Sequence, residues 1–292
     1  MTVPVRDRHV LIVGIDGVRH DTLTAADTPN LDRLAAAGFH APVRVDGRNP
    51  TISGPVWATV ASGVYSDKHG IRDNDLRGHR LAEFPDVLQR VRAAHPWAGT
   101  AAYAGWGQLV AAVHGGPIFA GGGYRPGLAE GAEDGDDLGV IAAIDEAVAS
   151  RAARSLLHED HSAVFAYLVL PDMVAHRQGV TPAYTDAVEI CDQQVGVMLA
   201  AIAQRQNRAS EEWTVIVVTD HGHLTEGGHG GESDAERTAW LTAAGPGIAP
   251  GRPVTIDHSD VHPHVLAVFD VPVEAGWGLE GVPFGGREAE RP

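Results

Sequence analysis

The stretch HVLIVGIDG, residues 9–17, decides the fold class of this 292-residue chain. Its continuous apolar run, from His9 to Ile15, is typical of a strand that is buried on both faces in a parallel sheet. Asp16 follows at once, so the run is too short and too soon interrupted for a signal peptide or a membrane span. The stretch therefore predicts a buried strand with a carboxylate at its end.

Further elements alternate along the chain. Strands are predicted at 163–170, 213–219 and 237–244. Helices are predicted at 28–38, 136–156, 181–206 and 259–269. This alternation predicts an α/β fold with a mostly parallel central sheet flanked by helices on both faces. We expect one catalytic domain over 1–292 with loop insertions at about 72–135, including a Gly- and Pro-rich surface loop at 115–135.

Composition narrows the function classes. With 22 basic and 38 acidic residues the net charge is −16, which argues against a surface for nucleic-acid polymers or anionic membranes. The single cysteine, Cys191, excludes an internal disulfide and a Cys-rich metal site. A cytoplasmic protein from a GC-rich bacterial source is expected, and the sequence leaves the oligomeric state open. The 16 histidines point to metal binding.

Acidic residues and histidines follow three of the predicted strands at their carboxyl ends. Parallel strands end at one edge of a sheet, and open α/β folds bind ligands at that edge. Another histidine lies in the Gly-rich segment GGHGG, residues 227–231, whose backbone can approach a site closely. The resulting set has three aspartates and three histidines: Asp16, Asp172, His176, Asp220, His221 and His229.

Six such ligands are too many for one tetrahedral zinc ion, but they divide naturally between two metal ions. Mixed imidazole and carboxylate ligation suits zinc, manganese or iron. Two metals about 3.5–4 Å apart can bind the attacking and leaving oxygens of a phosphoryl transfer. They would also attract a small anionic phosphoester to a chain of net charge −16. The alternative is that each residue is only a cap, turn or core residue.

A nucleophile is predicted in residues 49–63, NPTISGPVWATVASG, which read as an extended approach and then a helix of about ten residues. Ser53 or Gly54 is expected at the N-cap of this helix. A hydroxyl between a helix N-terminus and a metal is activated as a nucleophile. The competing interpretation makes Ser53 a mere N-cap, and Thr51 and Thr59 are the competing hydroxyls.

Four blocks of sequence stand in a fixed order. They are VGIDGVRHDTL (13–23) with TPNLDRLAAAG (28–38), PTISGPVWATVASGVYSDKHGIRDN (50–74), LPDMVAHRQG (170–179), and VVTDHGH (217–223) with GGHGG. Together they resemble the alkaline phosphatase superfamily, closest to its nucleotide pyrophosphatase/phosphodiesterase branch. The resemblance implies an alkaline-phosphatase-like fold and hydrolysis of phosphodiesters, nucleotides or phosphomonoesters.

The resemblance also implies roles for individual residues. One metal would be held by Asp172, His176 and His229. The other would be held by Asp16, Asp220 and His221 together with the oxygen of Ser53. Zinc is the expected metal and manganese the alternative. Ser53 would attack phosphorus, and the phospho-enzyme would then be hydrolysed.

Contacts to the substrate are less well defined by the sequence. This chain has Val56 where the branch has an asparagine. A contact to a phosphate oxygen is therefore expected from Arg48, Asn49 or Asn74, or from a backbone N–H of the helix terminus. Further polar residues close in sequence to the site could balance the extra charge of a monoester: Arg19, His20, Lys68, His69 and His223.

Other functions remain open at this stage. A sulfatase has a Cys/Ser-x-Pro-x-Arg signature, but Trp57 stands in place of its arginine. A phosphomutase would need an added cap domain, for which the chain has little room. A carbon–phosphorus hydrolase of the phosphonoacetate type shares the six ligands. The last alternative is a metal-binding protein without catalytic activity.

Overall fold

The computed structural model describes residues 3–120, 123–124, 137–251 and 255–284. Its strands are β1 Arg8–Ile15, β2 Phe39–Arg44, β3 Gly99–Ala104, β4 Gly123–Tyr124, β5 His161–Leu168, β6 Glu212–Val218 and β7 Thr238–Ala244. Its helices are α1 His20–Ala25, α2 Pro29–Ala37, α3 Ser53–Ser62, α4 Ser66–His69, α5 Val87–Ala94, α6 Gly107–Val110, α7 Leu138–His158, α8 Leu170–Gln178, α9 Pro182–Ala203, α10 Asp234–Arg237 and α11 Val261–Val268. None of these helices is both long and apolar enough to cross a membrane.

The strands form one sheet in the order β2-β7-β6-β1-β5-β3-β4. The strands from β6 to β4 are parallel, whereas β7 is antiparallel to both β6 and β2. The predicted mostly parallel sheet is therefore confirmed. Because β1 lies between β6 and β5, the ends of these three strands meet at the middle of one sheet edge.

Side chains of β1 alternate between two cores, as the period of two along a strand requires. Val10 and Ile12 pack on the face covered by α3, α5 and α11. Leu11, Val13 and Ile15 pack on the face covered by α2, α7 and α9. The predicted helices on both faces are thus confirmed, and both helix layers pack against side chains of the apolar run in β1.

Helix α3 differs from the others because all ten of its residues are buried. Its sequence has no charged residue, as complete burial requires. It ends at Gly63, which has a positive φ of 73° and whose N–H bonds the Thr59 carbonyl. A helix held on every side has a fixed first turn, and that turn begins at Ser53.

Several predicted boundaries need correction. The strand predicted at 163–170 ends at Leu168, and α8 begins at Leu170 with Pro171 in its first turn. Asp172 therefore lies on a helix. The interval 72–135, predicted as loop insertions, contains α5 and the sheet strands β3 and β4. Within the Gly- and Pro-rich loop predicted at 115–135, residues 121–122 and 125–135 lie outside the described residues.

We predict that Val13→Ala lowers the free energy of unfolding by about 2–3 kcal/mol, because it removes buried methyl groups and leaves a cavity. Val13 is fully buried, whereas Val197 on α9 is 50% exposed. The same change at Val197 should stay within about 0.5 kcal/mol. Urea unfolding of the two variants measures the difference, and equal losses would contradict the assignment of β1 to the core.

Candidate active site

The site lies at the carboxyl end of β1, β5 and β6. Asp16 directly follows β1, and Asp220 comes two residues after β6. The Gly17 N–H donates to Asp220 Oδ1 at 3.0 Å and so joins the two strand ends. Gly17 has a positive φ of 65°, and a Cβ there would lie 2.6–2.7 Å from His223 and Asp172. Only glycine lets the chain pass this close to both side chains.

The first group of candidate ligands is Asp16, Asp220 and His221, all fully buried. His221 Nε2 lies 3.7 Å from Asp16 Oδ1 and 3.3 Å from Asp220 Oδ2. His221 Nδ1 donates to the Gly222 carbonyl at 3.1 Å, which leaves the Nε2 lone pair free for a metal. Asp220 Oδ2 has no hydrogen-bond partner among the residues that the structure describes. A buried carboxylate oxygen without a partner fits a site built for a cation.

Electrostatics support this interpretation of the first group. Burial and the nearby Asp172 carboxylate raise the pKa of Asp16 to about 6. Burial and the Asp16 carboxylate raise the pKa of Asp220 well above its usual range. Burial and the neighbouring imidazoles lower the pKa of His221, which keeps its ring neutral. A bound cation would stabilise both ionised carboxylates and use the neutral imidazole as a ligand.

The second group surrounds Asp172. Its carboxylate oxygens lie 3.5 Å from His176 Nε2 and 3.7 Å from His229 Nε2. The two Nε2 atoms are themselves only 3.0 Å apart. His229 Nδ1 donates to the Thr51 carbonyl at 2.7 Å, so its Nε2 presents a lone pair to His176. The structure therefore brings the sequence-predicted trio of Asp172, His176 and His229 together.

His223 is a member of the second group that the sequence analysis names only as a source of charge. It is fully buried, and its Nε2 contacts Asp172 Oδ1 at 2.8 Å. Burial lowers its pKa to about 4, so the ring is neutral at pH 7. Ligand atoms of Asp172, His221, His223 and His229 all lie within 4.8 Å of one another. The sequence offered one indication that His223 belongs to the site, namely its position two residues after His221 beyond a strand end.

Asp16 also has two hydrogen-bond donors that the sequence analysis misses. Tyr167, near the end of β5, donates its hydroxyl to Asp16 Oδ2 at 2.6 Å. Trp57, on α3, donates its indole N–H to the same oxygen at 2.9 Å. Both come from elements far from residue 16 in sequence, so only the fold brings them together.

Ser53 is the first residue of α3, and the N-cap position is Ile52. The prediction that Ser53 or Gly54 is the N-cap is thus wrong. Ser53 Oγ lies 3.5 Å from Asp16 Oδ1 and 3.4 Å from His221 Nε2. The hydroxyl is therefore turned toward the first ligand group.

The two competing hydroxyls are engaged elsewhere. Thr51 donates to the Gly231 carbonyl at 2.9 Å and accepts the Gly230 N–H at 3.0 Å. Thr59 donates to the Pro55 carbonyl at 3.1 Å within α3. Thr51 therefore braces the His229 loop, and Thr59 faces the interior behind the site.

The three predicted substrate contacts lie in different environments. Arg48 pairs with Asp46 and Glu280 and stacks on Tyr65. Asn49 is buried, with its amide bonded to Thr59 and Ser66.

Only the third contact, Asn74, is placed beside Ser53. Asn74 Oδ1 accepts the Gly54 N–H at 2.8 Å.

Other predicted polar residues also bond away from Ser53. Arg19 pairs with Asp21, and Lys68 pairs with Glu280. His20 stacks on His40, and His69 Nδ1 accepts the Ile71 N–H.

Comparison with known proteins identifies the family of the chain. The sequence model of the type I phosphodiesterase / nucleotide pyrophosphatase family matches residues 10–241. Ectonucleotide pyrophosphatase/phosphodiesterase family member 3 of Rattus norvegicus is 27% identical over 231 residues, which are 73% of this chain and 24% of that protein. Family member 7 of Mus musculus is 26% identical over 239 residues, which are 76% of this chain and 52% of that protein. The chain thus spans between a quarter and about half of these relatives' length.

Solved structures share the fold. Murine ectonucleotide pyrophosphatase/phosphodiesterase 5 has a TM-score of 0.67 at 14% identity, covering 90% of this chain and 95% of the other. A 2-O GAG sulfatase has a TM-score of 0.74 at 15% identity, covering 94% and 73%. The expected alkaline-phosphatase-like fold is confirmed. From the family match over residues 10–241, the chain belongs to the type I phosphodiesterase / nucleotide pyrophosphatase family.

Proposed function

We propose that the protein is a phosphodiesterase that depends on two divalent metals and uses Ser53 as its nucleophile. The observation that carries the proposal is the position of Ser53 Oγ, 3.5 Å from Asp16 and 3.4 Å from His221. Both of these residues belong to the first group of candidate metal ligands. A hydroxyl fixed beside two ligands of one cation is placed for activation, which a simple capping serine is not.

The donor set fits the two metals. Asp16, Asp220 and His221 would hold one of them. Asp172, His176 and His229 would hold the other, with His223 bonded to Asp172. Imidazole and carboxylate donors favour zinc, with manganese as the alternative. When bound, the two cations would lower the pKa of the serine hydroxyl and stabilise negative charge on the phosphoryl oxygens.

The protein's own groups orient the substrate and carry the covalent chemistry. Ser53 Oγ loses its proton and forms a bond to phosphorus, while the bond from phosphorus to one ester oxygen breaks. That oxygen takes up a proton and leaves as an alcohol. Water then attacks phosphorus, the bond to Oγ breaks, and Ser53 regains its proton as a phosphomonoester leaves. Asn74 holds the Gly54 N–H through Oδ1. Its amide NH2 is therefore oriented to donate to a substrate oxygen beside Ser53.

The charges near the site favour a diester over a monoester. A monoester carries one more negative charge, and a fixed cation would be needed to offset it. The three candidate cations Arg19, Arg48 and Lys68 each pair with a carboxylate. None of these three offers a free charge, and the neutral amide of Asn74 suits the single charge of a diester.

The substrate class can be tested with the zinc-loaded protein on bis-p-nitrophenyl phosphate, p-nitrophenyl phosphate and p-nitrophenyl sulfate. We expect kcat/KM for the diester to exceed that for the monoester by at least about tenfold, or ~1.4 kcal/mol. The sulfate ester should be the poorest substrate. Preference for the monoester would contradict the charge argument, and preference for the sulfate would support a sulfatase.

Metal analysis tests the ligand set. We expect about two zinc ions per chain and loss of activity on chelation, with recovery on adding zinc back. Asp220→Asn should lower the metal content, because it replaces a buried carboxylate whose free oxygen faces the first group. Asp192→Asn is a matched control, since Asp192 is equally buried but bonds to Asn30 and Leu31 away from the site. Activity that resists chelation in metal-free protein would rule the proposal out.

Replacement of the serine tests the nucleophile. Ser53→Ala should keep its zinc yet lose several orders of magnitude in kcat, whereas Ser53→Thr should retain some activity. Ser62→Ala is the control, because Ser62 is a buried serine at the other end of α3 whose hydroxyl donates to the Ala58 carbonyl within the helix. Mass spectrometry should find a trapped phosphoryl group on the peptide with Ser53. Near-normal turnover by Ser53→Ala would exclude the serine intermediate.

A further inference from the structure

Trp57 lies one helical turn after Ser53, so the two side chains are on the same side of α3. The Trp57 indole N–H donates to Asp16 Oδ2 at 2.9 Å. The Ser53 hydroxyl lies 3.5 Å from the other oxygen, Asp16 Oδ1. One helix therefore contacts both oxygens of a single candidate metal ligand, with the nucleophile on one and the indole on the other.

The indole occupies a closely fitted slot against β1. A Cβ on Gly14, two residues before Asp16, would lie 2.5–3.2 Å from three atoms of the indole ring. The rings of Phe165 and Tyr167 pack against it edge-on, with centroids 6.1 and 5.5 Å away. Trp57 itself is fully buried. Because the ring is confined on these sides, the direction of its N–H is fixed.

This arrangement decides which oxygen of Asp16 is available. Oδ2 accepts bonds from both Trp57 and Tyr167, at 2.9 and 2.6 Å. Oδ1 faces Ser53 and His221 at the longer distances of 3.5 and 3.7 Å. The carboxylate is thus held with one oxygen occupied by the protein and the other directed into the site.

We propose that Trp57 is a positioning residue that orients Asp16 toward the metal and keeps the helix of the nucleophile in register with that ligand. This inference rests on the proposed function for the identity of the nucleophile, but the link between Trp57 and Asp16 does not depend on catalysis. Groups that orient metal ligands typically change metal affinity by about 10–100-fold when removed.

The test compares Trp57→Phe with Trp240→Phe, using zinc alone as the probe. Trp240 is also fully buried, and its indole N–H bonds the Val18 carbonyl at 3.1 Å. Both changes remove one buried indole hydrogen bond, but only that of Trp57 ends on a candidate ligand. Competition with a chromophoric chelator should show zinc affinity lowered by about tenfold or more in Trp57→Phe. Trp240→Phe should stay close to the wild type.

Two further measurements separate positioning from a merely structural role. In protein with ¹⁵N-labelled tryptophan, the indole N–H signal of Trp57 should shift when zinc is added, and that of Trp240 should not. In Trp57→Phe, kcat should fall while KM changes little. Trp57→His, which keeps a ring N–H donor, should recover part of the zinc affinity and supplies the signal assignment if Trp57→Phe does not fold.

Wild-type zinc affinity in Trp57→Phe, or an indole signal that ignores zinc, would overturn the proposal. Equal losses of zinc affinity in both phenylalanine variants would do the same. Failure of the proposed function would look different. If Ser53→Ala stayed active while Trp57→Phe still lost zinc affinity, the nucleophile would be wrong and the positioning role would stand.

Discussion

Three carboxylates are buried close to one another at the ends of neighbouring elements, and the surrounding structure is arranged to accommodate them. Burial raises the pKa of Asp16, Asp172 and Asp220, and for Asp16 and Asp220 neighbouring carboxylates raise it further. Ionised acids are tolerated in such a buried place only where hydrogen-bond donors or cations offset the free-energy cost of removing their charge from water. The Gly17 N–H, the Trp57 indole and the Tyr167 hydroxyl bond some of their oxygens. Neutral imidazoles surround others, which leaves a centre that is chemically complementary to divalent cations.

A second layer of contacts holds the candidate ligands themselves. The backbone carbonyl of Thr51 accepts a hydrogen bond from the His229 ring. The Thr51 hydroxyl accepts the Gly230 N–H and donates to the Gly231 carbonyl. Arg237 donates to the carbonyls of Val45, Asp46 and Asn49 and pairs with Glu232. The chain leading to Ser53 and the loop carrying His229 are therefore fastened to each other. The precision of the site comes from these backbone contacts as well as from its acids and histidines.

The sequence predicts the parts of this structure that local pattern determines. The continuous apolar runs of β1, β5 and β6 identify three central strands, and long periodic segments identify α7 and α9. Strand β3, GTAAYA, is rich in small residues, and β2, FHAPVR, alternates buried and exposed positions around a proline. Neither has the local sequence of a long buried strand. Both are stabilised as strands by pairing with their neighbours in the sheet. Five of the six acids and histidines are predicted because they follow predicted strand ends, and His229 is predicted from its Gly-rich segment. The Trp57 bond to Asp16, in contrast, spans 41 residues and depends on packing alone.

The antiparallel pair β2 and β7 supplies no candidate ligand, yet it sets the position of Thr51 relative to His229, on which the site depends. Because the two strands run in opposite directions, β2 ends and β7 begins at the same edge, with Arg44 paired to Thr238. Thr51 lies seven residues beyond one member of that pair, and His229 lies nine residues before the other. A slip of two residues in this pairing would move the segments by about 7 Å relative to each other. The hydrogen-bond register between β2 and β7 therefore fixes how Thr51 and His229 are placed relative to each other, although neither strand contributes a residue to the site.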